Sequence, residues 1–431
     1  MEPVVQVGIL SRAEIVLMLR GTFLYGEETL TGEQILSFKG GKIYWNGNFY
    51  SELYWEPSEL ETDCFELCGV TIGIDFHWER RENQMFRGAL RILVEKNALL
   101  LINRVPVEEY LTSVISSEMS ATASLPLLKA HAVISRSWLF AQIEAHRTPR
   151  KENSSVMVNG EDEQIKWFDH EDHVLFDVCA DDHCQRYQGI TRAYTPQVEQ
   201  AVRETYGEVL KYGTQLCDAR FSKCCGGVLE RFSTCWEDSD PPYLMEKRDW
   251  IDNSLCPDLT TEEGARNWID SEPSAFCRVQ TPEIISQVLN GYDQETPDFY
   301  RWQVTYSQTE LSELIACRLG VDLGQILALV PLRRGTSGRI SRLRIVGSKR
   351  TVIIGKELWI RRLLSRTHLY SSAFVVDRKE DDFILRGAGW GHGVGLCQIG
   401  AAVMGEQGYE YENILKHYYV GAIIEKMDYA R

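Results

Sequence analysis

The sequence predicts an α+β fold in which a β-rich N-terminal part, residues 1–105, packs on a mixed α/β core, residues 106–431. Two observations carry this. From Val4 to Val105, short apolar or alternating runs ("VVQVGIL", "EIVLML", "GKIYWNGNFY", "CGVTIGIDFHW", "LRILVEKNALLLINRV") are separated by Gly, Asn and acidic turns, the pattern of antiparallel strands and hairpins. Within them, "WNGNF" sets Asn46 and Gly47 where a type I′ turn needs two positive φ angles. The apolar period then lengthens to that of a helix, over Val107–Met119 and again from Leu125 to about His146. Ser124 is the expected N-cap of the second helix, and Pro126 fits its first turn, whose amides have no intrahelical partner.

Residues 147–172 are polar and charged, as in a surface excursion. Strand and turn signals resume at "YQGITRAYTP" and "GEVLKYGTQLCDARF". From about Glu237 to Phe299 the chain turns acidic, with scattered Pro and Trp, and reads as an insertion decorating the main fold. A strand pair and a helix follow in "LRIVGSKRTVIIGKELWIRRLL", then a glycine-dense segment and a helix near Tyr411–Tyr419. No period repeats along the chain.

With 431 residues, 44% of them hydrophobic and 25% charged, the chain can bury a sizeable core. A formal net charge of −16 excludes nucleic acid as the expected partner, because phosphate binding needs clustered cations. The basic runs Arg147–Lys151 and Arg361–Arg366 are short and fit solvated faces. Arg12, Glu14 and Arg20 interrupt the N-terminal apolar stretch, so neither a signal peptide nor a membrane span is expected. The 12 cysteines are too few for a disulfide scaffold of this length.

Four segments carry candidate chemistry. In "VEEYLTSVISSEM", Leu111, Val114 and Ile115 form an apolar stripe that Glu118 joins one turn later. A carboxyl group held among apolar neighbours keeps its proton more readily, as a general acid must. The alternative is a helix-end Glu bonded to the amides of the "SATAS" loop. In "GAGWGHGVGLCQIGAAVMG", Gly389, Gly391, Gly393 and Gly395 alternate around His392, which lets the backbone approach a ligand or adopt positive φ, and Gln398 follows closely. A plain glycine turn would also fit. The segment lacks the Lys-Ser/Thr ending of a phosphate loop.

In "HEDHVLFDVCADDHCQRYQG", Cys179, His183 and Cys184, with His170 and His173 upstream, supply the thiolate and imidazole ligands that zinc prefers; free thiols beside surface histidines are the other reading. In "FSKCCGGVLERFSTCWEDSDPPYL", Gly226 and Gly227 turn the chain beside Ser222 and Trp236, and vicinal Cys224 and Cys225 fit core thiols. No nucleophile elbow of the GxSxG type is present.

Taken in chain order, "VEEYLTSVISSEM", "LLKAHAVISRSW", "CQRYQG", the "CCGG" segment and finally "GWGHGVGLCQIGA" resemble the stage II sporulation protein D (SpoIID/LytB) family of peptidoglycan lytic transglycosylases and amidase enhancers. The resemblance runs from about Val107 to Gly421, and "GWGHGVGLCQIGA" is its most specific part. It implies that Glu118 is the catalytic acid/base and that Arg136, Ser222, His392 and Gln398 line a glycan groove. It also implies a structural zinc on His173, Cys179 and Cys184, with His183 offered as a fourth ligand. The implied partners are peptidoglycan glycan strands and a cell-wall amidase, and the implied location is the cell envelope. Three positions depart from the family pattern: His131 where many members carry Gln, Cys397 where Ser is usual, and Leu229 where Thr is common.

The implied reaction cleaves the bond from N-acetylmuramic acid to N-acetylglucosamine without water. One carboxyl group protonates the leaving oxygen, then takes the proton of the muramyl C6 hydroxyl as a 1,6-anhydro ring closes, so no second carboxylate is needed. A non-catalytic glycan-binding activator of an amidase is the competing expectation, and a zinc hydrolase centred on Cys179 and Cys184 is a third.

Overall fold

The computed structural model describes residues 2–73, 79–120, 123–147, 157–167, 173–181, 183–191, 195–251, 255–279, 281–288 and 299–429. The candidate ligand His170 lies outside these residues, as do 252–254, 280 and 289–298 of the expected insertion.

The N-terminal part is built from β1 (Val4–Arg12), β2 (Glu14–Tyr25), β3 (Glu28–Lys39), β4 (Lys42–Trp45), β5 (Asn48–Tyr50), β6 (Glu52–Pro57), β7 (Cys64–Ile72), β8 (Arg80–Arg87), β9 (Ala89–Glu95) and β10 (Ala98–Pro106). Apolar residues alternate inward, as in the e-B-i-B-i-B start of β2, which buries Ile15, Leu17 and Leu19. The β4–β5 hairpin turns at Asn46 (φ 45°) and Gly47 (φ 80°), the two positive angles of the expected turn.

The strands run in the order β1-β10-β9-β6-β2-β3-β4-β5, with β7 and β8 branching off at β2. A two-residue strand, Val178–Cys179, adds to the free edge of β1 in parallel, so a segment beyond the helix pair extends the N-terminal sheet.

α1 (Val107–Glu118) and α2 (Leu125–Arg147) follow β10 directly. The stripe expected on α1 understates its burial: only Glu109 and Ser116 are even partly exposed, as in a helix enclosed on all sides. Val107, Tyr110, Leu111 and Val114 share one apolar core with the sheet's Trp45, Trp55, Phe65 and Phe86, and with Trp138 and Leu139 of α2. That core therefore crosses residue 106. The N-terminal half of α2 enters a second core with Leu396, Cys397 and Ile399.

The Ser124 side chain does not cap α2; its Oγ is buried without a hydrogen-bond partner, and only its carbonyl joins the helix by accepting Leu128 N–H at 3.0 Å. "YQGITRAYTP" forms no strand among its described residues, and Thr195 instead caps the helix Pro196–Glu204. The strand pair Ile340–Gly347 and Thr351–Gly355 and the helices Glu357–Leu363 and Tyr411–Tyr418 lie where the sequence places them.

Candidate functional site

Glu118 ends α1 with 7% of its surface exposed. Its Oε1 accepts the backbone N–H of Arg186 at 3.3 Å, so a chain segment distant in sequence holds it. Across from it stands His131 of α2, fully buried and within electrostatic reach of the Glu118 carboxylate. His131 Nδ1 is 3.1 Å from Ser135 Oγ and its Nε2 is 3.2 Å from Gln398 Nε2. Burial lowers the His131 pKa to about 4, and nearby Lys223 adds to the effect. The ring is thus neutral at ordinary pH, accepting from the Gln398 amide and donating to Ser135.

That depression has a measurable consequence. An unfolded chain binds a proton at His131 near the unperturbed value of 6.5, whereas the folded one does so only near 4, so the group's stabilising contribution is present above 6.5 and is lost as pH falls between the two. The His131→Gln protein, which keeps a polar side chain against Gln398, is expected to show a shallower loss of stability over this window, by on the order of 3 kcal/mol, in denaturant titrations at neutral pH and at pH 4.

The glycine-rich loop is placed by backbone pairing. The strand Phe221–Ser222 runs parallel to Leu396–Cys397, and Cys224 and Trp390 exchange backbone hydrogen bonds at 3.0 and 2.8 Å. Gly393 (φ 75°) and Gly395 (φ 72°) are required: a Cβ at the first would overlap the Arg339 guanidinium, and at the second the Arg220 carbonyl. Phe221 sets its ring 4.7 Å from His131, which joins the loop to the helix that packs beside Glu118. Ser222 is 7% exposed and its Oγ has no hydrogen-bond partner.

His392 Nδ1 accepts the Val394 N–H at 3.0 Å, and its ring lies 4.9 Å from that of Trp236. Burial, together with the guanidinium groups of Arg220, Arg339 and Arg361, pushes its pKa well down. The imidazole braces the loop as a neutral ring.

Arg136 departs from expectation. It is fully buried, with Nε 3.0 Å and Nη2 2.6 Å from the two Glu108 carboxylate oxygens and Nη1 2.8 Å from the Glu208 carbonyl. Glu108 also accepts from Gly207 N–H at 3.3 Å and Tyr429 O–H at 2.7 Å. The fork that could have gripped a ligand ties α1 and α2 to the C-terminus of the chain. The structure thus brings Glu118, Ser222, His392 and Gln398 toward one region and leaves Arg136 in the scaffold. Arg220 is an addition: its guanidinium lies 4.4 Å from the Trp236 ring centroid and 2.8 Å from Asp218, between the loop and the cysteines that follow. A single cation in "CDARFSK" carries no periodic signal that would single it out.

His173, Cys179, His183 and Cys184 offer four ligand atoms that all lie within 4.8 Å of one another. Cys184 Sγ is 3.4 Å from His173 Nε2 and 3.6 Å from His183 Nδ1, and Cys179 Sγ is 4.0 Å from His183 Nδ1. Metal–sulfur bonds of about 2.3 Å and metal–nitrogen bonds of about 2.0–2.1 Å set sulfur and nitrogen about 3.5 Å apart in a tetrahedron, so the donor set and its spacing fit a zinc-type ion. The hydrogen bond from Cys184, with those from both histidines, pulls the Cys179 thiol far down, while sharing with that thiolate and burial push Cys184 up. The cluster is coupled to the cleft, because Arg186, two residues beyond Cys184, holds Glu118.

A family model described as "Stage II sporulation protein" matches residues 95–212, and a domain of unknown function (DUF8618) matches residues 230–395. Stage II sporulation protein D of Bacillus amyloliquefaciens is 25% identical over 329 residues, which span 76% of each chain. Its namesake in Bacillus subtilis (strain 168) is 24% identical over 339 residues, 78% of this chain and 79% of that one. An amidase enhancer of Bacillus subtilis (strain 168) is 26% identical over 323 residues, 73% of this chain and 40% of the enhancer. Glu118 and the histidine–cysteine cluster lie within the first matched domain, and over about three quarters of its length the chain is similar to stage II sporulation protein D.

Proposed function

We propose that the chain is a peptidoglycan lytic transglycosylase, with Glu118 as its single acid and base. The observation that carries this is a carboxylate buried at a helix end and within electrostatic reach of the neutral His131, whose ring pairs with Gln398. The Glu118 carboxyl group starts the reaction by donating its proton to the glycosidic oxygen. The carboxylate so formed then accepts the C6 hydroxyl proton. The Arg186 N–H holds one carboxylate oxygen and leaves the other for the substrate. Ser222 and Gln398 supply polar groups for the oxocarbenium-like transition state, and His392 positions the loop that carries them.

The test is mass spectrometry of intact and stem-stripped peptidoglycan after incubation with the full chain. The expected product is a new population of 1,6-anhydromuramyl ends. Binding without such ends, together with stimulation of a purified cell-wall amidase, rejects catalysis in favour of the activator reading, which similarity to an amidase enhancer motivates.

Zinc is the proposed occupant of the histidine–cysteine cluster, where two thiolates and two imidazoles fill a closed tetrahedron and leave no position for a reactive water. When bound, it supplies structure: it fixes the segment that presents Arg186 N–H to Glu118. Chelation is therefore expected to lower the melting temperature by several degrees, while glycan cleavage persists at temperatures where the apoprotein is still folded. Complete loss of cleavage by a chelated, folded protein would make the metal catalytic instead.

A further inference from the structure

A second group of ligand-type side chains lies away from this cleft, fully enclosed in the core. Cys225, Asp249, Cys277 and Cys397 are each buried, and their ligand atoms all lie within 4.8 Å of one another. Cys225 Sγ is 3.5 Å from Cys277 Sγ and 3.3 Å from Asp249 Oδ2. A tetrahedral ion with metal–sulfur bonds of about 2.3 Å and metal–oxygen bonds of about 2.0–2.2 Å spaces two sulfurs by about 3.8 Å, and sulfur from oxygen by about 3.5 Å. These two spacings differ from those around a bound ion by only a few tenths of an ångström. The cysteines are free thiols.

We propose that Cys225, Cys277, Cys397 and Asp249 form a second metal site, for a soft divalent ion of the zinc class. Three thiolates and a carboxylate make a closed structural donor set. On binding, the three thiols release their protons to solvent, and the resulting unit is doubly negative. The surroundings suit that charge. Cys225 N–H donates to Cys397 Sγ at 3.2 Å and Gly227 N–H donates to Cys225 Sγ at 3.3 Å. Asp249 Oδ1 accepts from Tyr418 O–H at 2.9 Å and from His417 Nε2 at 3.3 Å, and Lys247 Nζ lies 3.1 Å from His417 Nδ1. A carboxylate ligand oriented by an outer imidazole and its cation is the kind of support that metal ligands carry. A buried carboxylate among thiols alone would bear a desolvation cost that a dication offsets.

The chain connections give the ion a role. Cys225 comes from the "CCGG" turn, Asp249 and Cys277 from the acidic segment 237–299, and Cys397 from the strand that immediately precedes Gln398. One ion would staple that segment to the glycine-rich loop and fix the backbone from which Gln398 reaches His131. Cys397, the position where the family resemblance leads one to expect Ser, is then a ligand, and the acidic segment becomes a structural partner of the cleft.

The test is metal stoichiometry in the full chain, purified under reducing conditions and titrated with cobalt(II), with zinc loading followed by elemental analysis. The wild type is expected to bind two ions per chain. Cys277→Ala and Cys397→Ala should each bind one and lose part of the thiolate-to-cobalt absorption, and Cys184→Ala should lose the other ion. Should the core variants fail to fold, zinc X-ray absorption of the wild type decides: two ions sharing five sulfur ligands support the proposal, against one ion with two sulfurs. A single ion per chain that Cys184→Ala abolishes, or a disulfide among Cys225, Cys277 and Cys397 on peptide mapping of the reduced-purified protein, overturns it.

Discussion

The Glu118→Gln protein is expected to fold, bind glycan and produce anhydromuramyl ends at least ~1,000-fold more slowly than the wild type. Glutamine is nearly isosteric and its carbonyl can still accept the Arg186 N–H, so the local structure loses little. What disappears is an ionisable proton. Positioned acid–base groups each contribute roughly 10²–10⁴-fold, and in the proposed mechanism one residue serves both proton transfers, so no second carboxylate can sustain the reaction. The effect should fall on kcat, with substrate binding preserved, because the interaction lost is one made in the transition state. A Glu118→Gln enzyme with more than a tenth of wild-type turnover would move the proton transfers to another group and remove the central claim of the proposed function.

The sequence carried the local signals well and the long-range ones poorly, and particular residues show why. The Asn46-Gly47 turn and the helix pair rest on neighbours close in sequence, so period and turn chemistry were enough to place them. Glu118 was legible because a charged residue on an apolar stripe is a local contradiction. Its partner was not: Arg186 lies 68 residues away, and a backbone N–H has no sequence signature. The helix Gln398–Glu406 went unread because Gly400 and Gly405 look like loop residues. In the fold they are contact points, where a Cβ would strike Asp249 and Tyr418 at the first and Ser124 at the second. Cys225 likewise reads as a core thiol and Cys397 as a departure from Ser, because the pairing that brings them together joins residues 172 positions apart.

Arg136→Ala is expected to cost about 3–5 kcal/mol of stability, the largest loss from any single residue near the cleft. The removed guanidinium leaves the Glu108 carboxylate buried without the ion-pair partner that it has among the described residues, and frees the Glu208 carbonyl as well. Arg136→Lys should rescue little, because a single ammonium cannot span both carboxylate oxygens and a carbonyl as the planar fork does. Denaturant midpoints with an unchanged slope are the readout. The result also separates the two roles that Arg136 could have. A groove residue would weaken glycan binding while the midpoint stayed in place; a scaffold residue shifts the midpoint and leaves the binding of the remaining folded protein intact. Full burial of Arg136 and the coordination of the Glu108 carboxylate by Arg136, Gly207 and Tyr429 predict the second outcome, in which the arginine works by fixing the base of the helix that ends in Glu118.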